Sequence, residues 1–87
     1  MPKHVPVCTR KWKGKRKEAF YFSAKTSAKD VNLTPDGTTR FPFEEGPSPV
    51  PANGEKLFHL IDQYGTYTYY AKPCVHSDAN PRTVIIG

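Results

Sequence analysis

With 87 residues, 37% of them hydrophobic and 13% aromatic, and with nine prolines, the chain makes one small domain that can fill a thin two-sheet core but no long helical bundle. No apolar run approaches the roughly 18 residues of a membrane span, and the opening residues Met1 to Cys8 lack the apolar centre of a signal peptide, so the sequence as written reads as soluble, unexported and cytoplasmic. The net charge of +5 is uneven: residues 1–29 hold nine Lys/Arg against the single acid Glu18, while residues 30–87 hold four against seven acids, so basic character is local to the first third.

Residues 4–9 read as a first strand, with Pro6 marking an edge or a bulge because it cannot donate to a ladder. Residues 10–17 are Arg-Lys-Trp-Lys-Gly-Lys-Arg-Lys, where Gly14 among cations suggests a turn, and residues 18–23 carry the aromatic run Phe20, Tyr21, Phe22. The pattern predicts a hairpin of strands 4–9 and 18–23 joined by a basic connection with Trp12 in one arm. That connection is either a turn kept soluble by its lysines or a contact surface. In the second case Lys11, Trp12, Lys13, Lys15, Arg16 and Lys17 meet an acidic protein, a nucleic acid or another polyanion. Residues 23–30 are polar, with room for one helical turn. Residues 31–33 form a short strand, Thr34-Pro35-Asp36-Gly37-Thr38 a strong turn, and residues 38–43 extend again with Phe41 and Phe43 on one face. The proline-rich residues 44–53 read as a loop with polyproline II character. Residues 56–61 are apolar on both faces, as in a central or bulged strand, and His59 within them reads as a core histidine satisfied by a backbone partner.

In residues 66–71, Thr66, Thr68 and Tyr70 alternate with Tyr67, Tyr69 and Ala71, the composition of a strand inside a sheet. Pro73 and Pro81 bound a loop over residues 72–81 that holds Cys74 and His76, and residues 83–86 resume as a final strand. The tally, about six to eight short strands with turn signals between, predicts an all-β sandwich. No Ser/His/Asp order, glycine-rich phosphate loop or carboxylate pair at helical spacing occurs, so the chain does not read as an enzyme. The two cysteines allow a disulfide, free thiols or metal ligands.

The run Gly65-Thr66-Tyr67-Thr68-Tyr69-Tyr70, with a short proline-containing loop after it and the closing Val84-Ile85-Ile86, resembles the C-terminal end of cupredoxins, the small blue copper proteins. The likeness extends back through Val50 to Phe58 and more weakly to residues 33–39, and it implies a small Greek-key β-sandwich. The copper ligands of that family are not matched. Ala71 stands where its cysteine belongs, Cys74 where its histidine belongs, no methionine comes after them, and Thr39 or Arg40 lies near the place of the earlier histidine. The resemblance further implies that Cys8 approaches Cys74 at one end of the sandwich. The pair then reads as a disulfide, as a two-thiolate site completed by His76 and His4, or as two buried small hydrophobes. The function implied is that of a cupredoxin-like, non-enzymatic binding module. The alternatives are an electron-transfer or copper-binding protein with a rearranged site of Cys74, His76, Cys8 and His4, or a polyanion binder acting through the basic hairpin. No cofactor is required, copper, or zinc at Cys74 and His76, being left open, and the family's usual export stands against the cytoplasmic reading.

Overall fold

The computed structural model describes residues 2–72, 74 and 81–87. Among them are eight strands and no helix: β1 (Lys3–Pro6), β2 (Lys11–Gly14), β3 (Ala19–Ser23), β4 (Val31–Pro35), β5 (Pro49–Val50), β6 (Glu55–His59), β7 (Gly65–Lys72) and β8 (Arg82–Ile86). One sheet has the order β1-β3-β6 and the other β2-β8-β7-β4-β5. The small all-β sandwich expected from the strand tally is the observed fold, and among the described residues no helix is long and apolar enough to cross a membrane.

Period-two alternation decides what lies between the sheets. Phe20 and Phe22 of β3 are buried while Ala19, Tyr21 and Ser23 face outward, and in β7 Tyr67, Tyr69 and Ala71 point in while Thr66, Thr68 and Tyr70 point out. Val31 and Leu33 of β4 and Val84 and Ile86 of β8 complete the apolar layer. Its centre is aromatic: the Phe43 ring lies 5.1 Å from Phe22 and 4.9 Å from Tyr69, both edge-on, the arrangement favoured by ring quadrupoles. Each fully buried phenylalanine contributes on the order of 1.5–3 kcal/mol.

Three expectations about connection are corrected. The strands expected at 4–9 and 18–23 do lie side by side as β1 and β3, but they run parallel, with Lys3 opposite Phe20 and Pro6 opposite Ser23. A hairpin makes antiparallel neighbours, so the basic segment cannot be its tip. Instead it leaves the first sheet, and β2 pairs in parallel with β8 at the edge of the second, Trp12 opposite Val84. The extension at 38–43 supplies a single bridge, Phe43 to Leu60, because its worth lies in ring burial rather than in a ladder that Pro42 interrupts. The strand expected at 56–61 is β6, an edge strand rather than a central one: Leu57 faces solvent at 38% exposure, and Glu44 N–H donates to the His59 carbonyl where the chain 42–45 covers the strand's end.

Smaller differences have the same origin in burial. Pro49 and Val50, expected within a polyproline loop, pair with Asn32 and Val31 because Val50 has an apolar interior to enter. Residues 23–30 make turns and no helical one. The turn at 34–38 is as expected: Gly37 takes a φ of 86° and the Asp36 carboxylate accepts the Thr38 N–H at 3.0 Å.

Candidate functional site

β2 ends on Gly14, and its alternation sorts the basic cluster. Trp12 points inward, 4.9 Å from the Phe20 ring and 5.8 Å from Phe22, and its Nε1–H donates to the Tyr69 hydroxyl at 2.9 Å. Burial pushes the Tyr69 phenol far above its usual range, against smaller opposing effects of the Trp12 hydrogen bond and the Arg82 charge, so the hydroxyl stays protonated. Trp12, expected from sequence as a partner-contacting ring, is half-buried: one side packs on the core and Lys3 lies over the ring. Gly14 also faces inward. A Cβ built there would stand 2.4 Å from Leu60 Cδ1 and 3.2 Å from Glu18 Oε1, so only glycine lets the two sheets approach at this point.

With Trp12 and Gly14 turned in, Lys11 and Lys13 turn out, about 6.6 Å apart at strand rise, and Lys15 continues the exposed series just beyond the strand. The remaining cations differ in their partners. Arg16 lies 3.6 Å and Lys17 3.7 Å from the Asp62 carboxylate, so these two expected contact residues are partly neutralised on the surface. Lys3, which the sequence did not single out, donates to the Lys13 carbonyl at 2.7 Å, sits 5.4 Å from the Trp12 ring centre and lies 3.7 Å from Glu18. It thereby ties the β1 edge to the β2 edge. Among the described residues no ion pair involves Lys11, Lys13 or Lys15. The expected basic surface therefore contracts to a lysine row on a free sheet edge.

At the other end, Cys8 and Cys74 form a disulfide with Cα atoms 5.5 Å apart. The juxtaposition implied by the resemblance is present, and of its three readings the disulfide is the one realised. The two-thiolate metal site and the pair of free buried thiols fall with it, since each sulfur is bonded to the other. His4 is engaged elsewhere, its Nδ1 paired with Glu55 and its ring stacked 5.2 Å from Tyr21 on the outer face of the smaller sheet. His76 lies outside the described residues. Ala71, at the place of the family's thiolate, is fully buried opposite Leu33. The residues present do not fit a type 1 copper centre, which needs a thiolate within a histidine-rich trigonal set.

His59 is satisfied by a carboxylate rather than by the expected backbone partner: its Nδ1 lies 2.6 Å from Glu45 Oε2, and its backbone N–H donates to Glu45 Oε1 at 2.8 Å. Partial burial pushes the Glu45 carboxyl up, but hydrogen bonds from the His59 ring and N–H outweigh it and hold the group below its usual range. Among the described residues no three His, Cys, Asp or Glu side chains converge as a metal group would require.

The fold and edge define a disulfide-tied, all-β sandwich with a lysine-rich border. No protein-family model, no curated protein and no solved structure matches the chain.

Proposed function

We propose that this protein is a cupredoxin-like, non-enzymatic binding module that engages an anionic partner through Lys11, Lys13 and Lys15. The observation that carries the reading is the lysine row itself: three exposed cations with no ion pair among the described residues, Lys11 and Lys13 held in line by inward-facing Trp12 and Gly14 on a strand hydrogen-bonded into a five-stranded sheet and Lys15 just beyond its end. Side chains rooted in a sheet keep their spacing, so less order is lost on binding than from a free basic tail. Lysines on a sheet border also discourage edge-to-edge association, but three in succession without a paired carboxylate exceed what one short strand needs for that purpose. The cupredoxin-like part of the reading rests on the sequence of residues 50–87 and is supported by the meeting of Cys8 and Cys74, which the resemblance implied.

Attraction of an anionic partner to these cations weakens as salt shortens the Debye length to about 8 Å at physiological strength. The test is retention on an anionic matrix. Lys11→Glu, Lys13→Glu and Lys15→Glu together should abolish it while circular dichroism keeps the strand signal. Retention equal to that of the unmodified chain would overturn the assignment of the site to β2.

A further inference from the structure

We infer that the anionic partner is a single-stranded nucleic acid, seated in a groove that runs from Lys3 and Lys13 past Lys15 to Tyr64; the inference rests on the anion-binding reading above and names the partner of that same site. Two openings, of about 440 and about 500 Å³, share Lys15 and Gly87 as lining residues and so adjoin at the Gly14 end of the sandwich, where we read them as one trough. Its acids are already occupied. Glu18 accepts the Lys15 backbone N–H at 2.8 Å and lies near Lys3, and Asp62 lies between Arg16 and Lys17. The uncompensated positive charge is that of Lys13 and Lys15, at the start and the shared middle of the trough.

A polyanion without bases would need only those cations, and the far end of the trough offers a further element. Tyr64 lines it at 63% exposure, the greater of the two exposed large apolar side chains among the described residues. Its ring carries the Arg16 guanidinium 4.2 Å from the centroid, and its carbonyl accepts the Tyr67 hydroxyl at 2.9 Å. The main chain of Tyr64 is held in place and its ring lies beside the cations. A positive trough leading to an aromatic ring and a stacked guanidinium is the combination by which proteins hold single strands without reading sequence: phosphates meet the cations and a base stacks on the platform. Trp12 is the poorer platform, because its indole packs on Phe20 and its Nε1–H donates to Tyr69. A duplex keeps its base faces covered, and a sulfated polysaccharide has no π-face to stack.

Fluorescence anisotropy of the full chain at low salt tests this with three probes: a labelled oligothymidylate of about ten nucleotides, within the span that known single-strand sites cover, a duplex of equal length, and a heparin oligosaccharide. Tyr64→Ala should weaken the oligothymidylate about tenfold and leave heparin binding unchanged, with Tyr64→Phe restoring affinity. Tyr64→Leu, which keeps apolar bulk, should show the same loss as alanine and guards against a fold defect. Lys13→Glu with Lys15→Glu should remove binding of both, and replacing the same two lysines by Gln should make the log–log salt slope shallower by about 1.4, at ~0.7 per cation for single strands. Oligothymidylate affinity indifferent to Tyr64, or duplex or heparin bound more tightly than the single strand, would overturn the inference while leaving the lysine reading in place. Lysine variants that change none of the three probes would remove that reading as well.

Discussion

The two ends of the sandwich are ordered by different physics. At one, the chain after β1 is joined covalently to the chain after β7 by Cys8–Cys74, a link that depends on redox conditions as well as on the approach of the two residues. At the other, β2 is drawn against Leu60 by the absence of a side chain at Gly14 and by the packing of Trp12 on Phe20, and a trough of cations lies outside. The first end is secured by a constraint on the unfolded chain, the second by close packing in the folded one. The contrast teaches that the cations owe their alignment to packing, so binding should survive loss of the disulfide and fail when the packing is disturbed.

The largest effect should come from breaking the first end. Closing a loop of 66 residues contributes about 4 kcal/mol in the chain-entropy treatment, so Cys8→Ala with Cys74→Ala should lower the thermal midpoint strongly, and a reductant should do the same to the unmodified protein. Below its midpoint the double variant should still bind the anionic matrix; loss of binding with the fold intact would show that the two ends are coupled.

Gly14→Ala probes the second end, with an expected cost of about 1–3 kcal/mol from overpacking against Leu60. Leu60→Ala is destabilising alone, by about 2–5 kcal/mol. If the clash is the cause, Gly14→Ala should cost markedly less in the Leu60→Ala background, as measured by a denaturant double-mutant cycle. Trp12→Phe should cost about 1–3 kcal/mol by leaving the buried Tyr69 hydroxyl without its donor, and Tyr69→Phe in the same chain should recover part of that loss.

Acid should produce the smallest change. Burial raises the Asp36 carboxyl, but hydrogen bonds from Thr68 and Thr38 outweigh it and hold it below 3.8, and Glu45 is likewise held below 4.5. Groups depressed in the folded state bind protons more readily when unfolded, so the stability they contribute is fully present above those ordinary values and is lost as pH falls through the folded ones. Asp36→Asn and Glu45→Gln should each flatten the acid limb of the stability profile below about pH 4.5 while leaving the neutral midpoint lower than that of the unmodified protein. An unchanged acid limb would show that other carboxylates carry it.

Much of the local structure was legible because it is written in short periods. The alternation of Tyr67, Tyr69 and Ala71 with Thr66, Thr68 and Tyr70 assigned β7 before any partner was known, and the Pro35-Asp36-Gly37 turn carried its own chemistry. The same alternation in Lys11-Trp12-Lys13-Gly14 could have separated the inward ring from the outward cations, but charge density suggested a hairpin tip, and a tip would expose both sets. Tyr64 carried no signal at all: its meaning depends on Arg16, 48 positions earlier in the chain, which only the folded arrangement sets over its ring.

By itself the sequence determined the all-β class, the alternation of β7 and the localisation of positive charge, because these arise from side-chain size, backbone propensity and composition over a few residues. Only the tertiary structure decided that β1 and β3 run parallel, that β2 crosses to the other sheet, that the cysteines join, and that Lys15 stands between an opening lined by Lys3 and Lys13 and one lined by Tyr64. Those pairings are chosen by which apolar faces can be buried together across the whole chain, and a ring as large as Trp12 finds room only between two sheets that no local window contains.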